Sequence, residues 1–551
     1  MAEVQKSENI IFKWLNHKHF FHILSALYFV IILSISLKYH KIGDYGLETD
    51  FYMKYVPNAQ EFLEGSIHID SFQGPMYPMV LGIVKTVVDD YMLAGQLINA
   101  LGISIFLLCI SLILKKLMGA PIALGALLLT AANKHIIQNT YSCGTDMLFL
   151  AFLGGMFYFL LRDNKFSYKD IALTGLFAGL TFLTRFNGLF MVMGVVFSYV
   201  ILNVQNTNLK NRIISSAMVL VIFVGLYAPY GFYTLKEKDA FVYNTNYKNL
   251  AWTYVAQGNV SWDEFWHEDY CGENDINSLG DVVFADFGGF VGKYVEKLWS
   301  NLGNDFNMLL GTGDKVDDEE TNLLGWLIGL WSLAGIVLTF KNFKTEDRRL
   351  ISVIVLAAIY WAVLGLVFYN PRFSMFMVPF FIAFALKALE FPLSKPSQIN
   401  LKKFVVLGSS IVLFFVSVND AKAFNSVRIS TGPLEMLKIQ RWFERNEPEP
   451  QKGDAVFARK PHVAYYTGLH FEMFPVVKSW DEFLNLIEEK NVKYVYYSGF
   501  EYQTRPQFKV LTTPEKVPPV LKLIRIQKIP GQPKAFPGFI YKVDLEKRQV
   551  R

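Results

Sequence analysis

Runs of roughly 15–23 mostly apolar residues alternate with short polar bands along most of the chain, of the order of length needed to cross about 30 Å of hydrocarbon as a helix. They fall at 20–37, 94–114, 119–133, 146–161, 170–184, 186–202, 213–235, 322–340, 350–368, 373–391 and 404–419. The pattern predicts a polytopic, all-α membrane bundle of about eleven transmembrane helices. The first run, Phe20 to Leu37, lacks a small-x-small cleavage site before Lys38 and reads as a retained span. A weaker apolar stretch, Pro75 to Val88, is flanked too poorly to span and is expected to lie along the membrane interface.

After residue 419 the pattern shortens to alternating elements. Ala455–Arg459, Phe471–Val477 and Lys493–Tyr497 read as strands, and a helix starts at Trp480 behind the Ser479-x-x-Glu482 capping box. This predicts a small α/β domain over 420–551, separate from a membrane module over 1–419. No internal repeat or low-complexity segment interrupts the chain.

Lys and Arg set the orientation. One set of loops carries Lys6, Lys13 and Lys18, then Lys115 and Lys116, Arg162 to Lys169, Lys210 and Arg212, Lys341 to Arg349, and Lys395 to Lys403. The short loops of the other set hold only Lys134, Arg185 and Arg372. A multi-pass protein of the cell inner (plasma) membrane follows, with its N-terminus cytoplasmic and its C-terminal domain extracytoplasmic. The long segments 38–93 and 236–321 then lie outside as well.

Composition agrees with this picture. The 551 residues are 52% hydrophobic and 18% charged. No basic stretch has the density or aromatic interleaving of a nucleic-acid surface. Three cysteines exclude a disulfide scaffold and a cysteine-rich metal module. Cys143 and Cys271 both fall outside, but sequence gives no distance between them. His267-x-x-x-Cys271 and the acidic run Asp317–Glu320 have metal-capable residues without ligand spacing, so both read as solvated loops and no metal or cofactor is expected. No nucleotide-binding or zinc-protease motif is present.

The chemistry-bearing residues collect on the outer side. Glu48, Asp50 and Lys54 open the first outer segment, with Tyr77 further along it. Lys134, His135 and Asp146 flank the next loop, and Arg185 and Arg372 stand in two others. Ionisable groups at helix ends are costly unless paired or facing a wet cavity, so one shared cavity is expected. The plain alternative is a set of interfacial anchors and local ion pairs. Carboxylates beside arginines suit sugar transfer from a glycosyl phosphate: a carboxylate takes the acceptor proton, and a guanidinium holds the leaving phosphate. One base with in-line attack implies inversion.

Several segments carry a resemblance. They are Thr49-Asp50-Phe51-Tyr52, Ala59-x-x-Phe62-Leu63-x-Gly65, Gly74-Pro75-Met76-Tyr77-Pro78-Met79, Thr145-Asp146-Met147-Leu148-Phe149, Gly179 to Arg185, Asn370-Pro371-Arg372-Phe373 and Ala458 to Gly468. In their order and topology they resemble the GT-C superfamily of polyprenyl-phosphate-dependent glycosyltransferases. Bacterial members similar to protein O-mannosyltransferases and the lipid A aminoarabinose transferase are the nearest in pattern. The resemblance implies a GT-C bundle, an undecaprenyl-phosphate-type sugar donor, and an acceptor that is a protein, glycan or lipid. It implies that Asp50 is the catalytic base and that Asp146 is the second acidic position, orienting the acceptor or helping to shape the site. Arg372 and Arg185 become candidates for phosphate or headgroup contact. Relatives with a Lys before paired prolines differ from this chain, which has Gln73-Gly74 and one proline, so the phosphate holder stays open among Arg372, Lys134 and Lys54. A secondary transporter or flippase of lipid-linked sugars is the rival reading; such folds show inverted repeats and midplane sites, neither of which the sequence displays.

Overall fold

The computed structural model describes residues 12–256, 258–261, 265–266, 269–310, 322–341, 347–366, 370–390, 399–430, 432–447, 453–477, 479–530 and 536–549. Helix α1 (Phe20–Tyr39) leads into an irregular segment bearing α2 (Val56–Leu63) and α3 (Met76–Val88). Then follow α4 (Tyr91–Met118), α5 (Ala120–Ala131), α6 (Lys134–Tyr141), α7 (Asp146–Leu161), α8 (Tyr168–Thr184), α9 (Gly188–Val200) and α10 (Leu209–Lys238). Short turns precede α11 (Phe287–Leu309), α12 (Leu323–Lys341), α13 (Arg348–Leu364), α14 (Pro371–Leu389) and α15 (Ile399–Arg428).

Local chemistry sets the boundaries. Asp90 caps α4 by accepting from the Leu93 N–H, and Asn133 caps α6 through the His135 and Ile136 N–H groups. Gly119, at φ +94°, closes α4 in a backbone conformation that side chains disfavour.

Every expected apolar run becomes helical, but fewer have spanning length than the eleven expected. Six helices are long and apolar enough to cross a membrane (α1, α4, α10, α12, α14 and α15), or seven if α5 and α6, bent by 58°, form one broken span. Helices α7, α8, α9 and α13 have 16, 17, 13 and 17 residues. At 1.5 Å per residue they reach about 20–26 Å, short of a full hydrocarbon layer.

Helix α4 forms the centre, packed by α1, α5 and α7, while α8 lies between α7 and α10. The loops rich in Lys and Arg meet at one end of the bundle: Lys116 bonds the Arg162 carbonyl, Arg162 pairs with Asp170 at 2.8 Å, and Arg349 donates to the Leu161 carbonyl at 3.1 Å. The acids and arginines of the alternate loops meet at the other end, described below.

Helix α15 runs through the expected boundary at residue 420 and continues to Arg428. Beyond it lie α16 (Glu435–Asn446), α17 (His462–Thr467), α18 (Trp480–Glu489) and a five-stranded sheet ordered β2-β1-β3-β5-β4. Strand β1 (Ala455–Ala458) runs parallel to β2 (His470–Met473) and β3 (Val492–Tyr497). Strand β5 (Gly538–Val543) runs antiparallel to β3 and to β4 (Leu521–Gln527); the last two strands went unrecognised in the sequence. Alternate side chains part to the two faces: Phe457, Val495 and Tyr541 meet Phe483 and Ile487 of α18, whereas Val456, Tyr494 and Ile540 meet Met436, Ile439 and Phe443 of α16. The Ser479 hydroxyl accepts the Glu482 N–H at 3.2 Å, which starts α18 where the sequence placed it.

Helices α12 and α14 approach closely at Gly335, where an added Cβ would stand 2.1 Å from the Phe384 carbonyl oxygen. Gly335→Leu is therefore expected to destabilise the bundle by about 1–3 kcal/mol through overpacking. Thermal unfolding in detergent reads this directly; a melting temperature equal to that of the parent protein would contradict the close approach.

Candidate active site

One buried carboxylate organises this end of the bundle. Glu48 is fully enclosed, and its two oxygens accept from His40 Nε2 at 2.7 Å, from the Asp44 N–H at 2.9 Å and from the Cys143 N–H at 2.6 Å. Burial by itself would raise Glu48, but the His40 charge and these donors outweigh it and hold the carboxyl below its ordinary 4.5. Burial likewise opposes charge on His40, yet the Glu48 carboxylate beside it lifts the imidazole above 6.5. Glu48 thus ties the end of α1 to the first loop and to the loop after α6. With both oxygens bonded inside the protein and the side chain fully enclosed, it is a structural clamp and does not open onto a substrate space.

Asp50 follows two residues later, where the backbone widens into a π-type turn over Phe51–Tyr55 closed by the Val56 N–H on the Phe51 carbonyl. Its carboxylate is half-buried and has no hydrogen bond or ion pair among the described residues. The turn sends Phe51, Tyr52 and Tyr55 inward. Tyr55 donates to Gln73 Oε1 at 3.1 Å, and its hydroxyl feels the charges of Asp50, Arg372 and Arg185 together. Beneath it lies the Tyr77 ring, 5.1 Å away and fully buried, away from any open space.

Asp146 begins α7 and forms an ion pair with Arg185, which stands just past the end of α8. The Arg185 guanidinium lies 5.0 Å from the Phe373 ring centre, and Arg372 lies 5.3 Å from the same ring. Two cations therefore lie against one aromatic side chain. Arg372 Nε is buried without a hydrogen-bond partner among the described residues. Gly74 makes this assembly possible: an added Cβ would sit 1.9 Å from the Leu183 carbonyl oxygen, so the loop carrying Gln73 can lie flat on the end of α8.

The other expected residues go elsewhere. Lys134 pairs with Asp420 of α15 at 3.5 Å and lies over the Phe424 ring, fixing α6 to α15. His135 stacks edge-on against Phe424, 5.2 Å between centres. Lys54 reaches Asp70 at 3.8 Å at the rim. His267 and the run Asp317–Glu320 lie outside the described residues. All three cysteines are free, and no group of three metal-capable side chains occurs among the described residues.

A cavity of about 560 Å³ extends from Arg185 and Phe373. Its lining comes from Phe72 of the first loop, from the segments 242–250 and 277–279, and from the end of α8 and the start of α9. Leu189, a wall residue, is 40% exposed and begins a line of exposed apolar side chains down α9: Met193, Phe197 and Ile201. The cavity is consequently open sideways along an apolar helix face. Asp50 is not on its wall; the Tyr55 hydroxyl feels both that carboxylate and the arginines.

The sheet domain closes the site from above. His462 Nε2 donates to the Gly43 carbonyl at 3.1 Å, with burial pushing its imidazole down to about 4 and so keeping it neutral. Tyr466 bonds Tyr52 at 3.1 Å, and Lys460 donates to Thr49 at 3.0 Å, one residue before Asp50. Sequence reasoning missed Tyr55, Gln73, Phe373, His40 and Lys460. Among them, Phe373 and Lys460 lie inside segments that carried the resemblance, and Tyr55 and Gln73 adjoin residues that carried a signal.

Residues 73–229 match the family model of dolichyl-phosphate-mannose-protein mannosyltransferase. ArnT from Cupriavidus metallidurans, solved bound to undecaprenyl phosphate, superposes with a TM-score of 0.56 at 11% identity, over 95% of this chain and 98% of that one. The chain has the GT-C fold. The Archaeoglobus fulgidus oligosaccharyltransferase, solved with Zn and sulfate, gives a TM-score of 0.55 at 14% identity, covering 88% of this chain and 69% of that one. AglB from the same organism, solved with an inhibitory peptide and a dolichol-phosphate, gives 0.53 at 13%, covering 91% and 72%. No curated protein matches by sequence. Within this GT-C fold, Asp146 and Arg185 fall inside the matched family region; Asp50 and Arg372 fall outside it.

The Glu48–His40 pair has a pH signature. Glu48, held below 4.5, contributes its full stabilisation above that value and loses it as pH falls through the lower folded value. His40, held above 6.5, contributes fully below that value and loses it as pH rises through the higher folded value. Melting temperature should therefore plateau between pH 4.5 and 6.5 and fall on both sides. Glu48→Gln should lower the plateau by about 3–5 kcal/mol of stability and flatten its edges. A profile that Glu48→Gln leaves unchanged would exclude the clamp.

Proposed function

We propose that this chain is an integral membrane glycosyltransferase, moving a sugar from a polyprenyl-phosphate carrier to an acceptor hydroxyl at the outer membrane face, with inversion. One observation carries the reading: two guanidinium groups lie against Phe373, and one of them heads a cavity open onto the lipid-facing side of α9. A carrier lipid has a long apolar tail ending in a phosphate, and such a cavity offers both halves of the match. The undecaprenyl phosphate of ArnT and the dolichol-phosphate of AglB support the same class of donor; the acceptor in this reading is a protein, glycan or lipid.

In this reading all eleven apolar helices enter the bilayer of the inner (plasma) membrane, the shorter ones at its outer side, with the N-terminus cytoplasmic. Residues 1–419 form the catalytic module and 420–551 the outer domain. Asp50 takes the proton of the acceptor hydroxyl as its oxygen attacks the anomeric carbon. The bond from that carbon to the phosphate oxygen breaks, and its electron pair leaves with the carrier phosphate. Of the three candidate phosphate holders, Lys134 is engaged by Asp420 and Lys54 leans on Asp70, which leaves Arg372. Arg185, oriented by Asp146, supplies a second cation, and the planar fork of each suits the phosphate oxygens. The bend between α5 and α6 is the feature a transporter would use, but the Lys134 beside it is bonded to α15.

Asp50→Asn keeps shape and removes the base. Transfer of radiolabelled sugar from undecaprenyl phosphate by the purified protein should fall about 10²–10⁴-fold, with carrier binding retained. Arg372→Ala should instead weaken carrier binding, by about tenfold or more. Near-parental transfer by Asp50→Asn would remove Asp50 from the mechanism, and label that crosses vesicles without joining an acceptor would support a transporter.

A further inference from the structure

Three asparagines on the cavity wall form an oriented chain. Asn249 Nδ2 donates to Asn246 Oδ1 at 2.9 Å, and Asn246 Nδ2 donates to Asn244 Oδ1 at 2.9 Å. The segment is pinned to the first loop, because the Thr245 N–H donates to the Ser71 carbonyl at 2.9 Å and Asn246 Nδ2 also reaches the Phe72 carbonyl. This wiring fixes which way each amide faces. It leaves the Asn244 amide donor and the Asn249 carbonyl acceptor without partners among the described residues. Asn187, also on the cavity wall, gives its NH₂ to the Tyr360 hydroxyl, while its Oδ1 is buried with no hydrogen-bond partner among the described residues. A buried amide carbonyl left unsatisfied is costly, which points to a ligand donor as its missing partner.

The charge of the wall is as informative as its amides. Arg185 is the one charged side chain among the described residues lining the cavity, and Asp146 already engages it. An ammonium on the ligand would find no carboxylate there, and a carboxylate would compete with the carrier phosphate for the same guanidinium. Burying either charge unpaired is unfavourable. A hydroxyl, donor and acceptor at once, satisfies both kinds of amide end.

We infer that Asn187 and the Asn244–Asn246–Asn249 chain form the sugar-reading wall of the donor site, and that this wall selects an uncharged, hydroxyl-bearing sugar over an amino sugar or a uronic acid. The inference rests on the donor-site reading above. Asn246 is the positioning member, since its side chain is saturated and orients its neighbours; Asn187, Asn244 and Asn249 supply the contacts.

The test uses the full chain in nanodiscs and three probes on one carrier: undecaprenyl phosphate alone, the carrier bearing a neutral hexose, and the carrier bearing an amino pentose or a hexuronate. The neutral glycosyl carrier is expected to bind best. Asn246→Leu and, separately, Asn187→Ala should weaken the neutral glycosyl carrier by roughly tenfold, while leaving the bare carrier within about twofold. Tighter binding of a charged sugar, or equal effects of both substitutions on bare and glycosylated carrier, would overturn the sugar wall while the donor site stands. Failure of the parental protein to bind bare undecaprenyl phosphate would instead bring down the donor site itself, and the wall with it. Circular dichroism melts of both variants separate a lost contact from a lost fold.

Discussion

The geometry at this end of the bundle depends on a carboxylate that never meets water. Glu48 draws donors from the end of α1, from its own loop and from the loop after α6. Each of those segments is polar and lies at a helix end, where an unsatisfied backbone group is expensive. Asp50 stands two residues beyond one arm of this clamp, and Asp146 three residues beyond another. Fixing Glu48 therefore fixes the starting points of both acids, although it touches neither.

A second constraint is the pairing of charge at short range. Asp146 orients Arg185, Asp420 holds Lys134, and Asp70 lies near Lys54. In a low-dielectric setting a cation with a partner is far less free to bind a ligand than one without. The arrangement leaves Asp50 and Arg372 as the groups in this region whose side chains lack a hydrogen bond or ion pair among the described residues. That distribution, with the cavity open along α9, separates scaffold charges from those suited to chemistry.

The sheet domain belongs to this arrangement through contact, because α17 lays His462 and Tyr466 on the first loop and the adjacent Lys460 reaches Thr49. Its two-faced sheet gives these residues a rigid platform, with α16 on one side and α18 on the other. A rigid platform beside an unpaired carboxylate restricts what can approach it. The close approach of Gly74 to the Leu183 carbonyl holds the Gln73 loop against the end of α8.

The sequence by itself determined where the helices are, because a helix in hydrocarbon must be continuous and apolar, and that pattern is local. It also located the α18 cap and three of the five strands, whose signals lie within a few neighbouring residues; β4 and β5, whose pairing shifts register between Leu523 and Arg525, were missed. The spanning count was less legible, since an apolar run does not reveal where a helix bends, as between α5 and α6, or stops short, as in α9. Which charges are occupied was decided by tertiary structure alone. Glu48 meets a donor 95 positions away, and Tyr141 and Lys134 meet α15 partners nearly 300 positions away. Side chains of identical chemistry become clamp, latch or free reagent through partners that only folding brings within 3–4 Å.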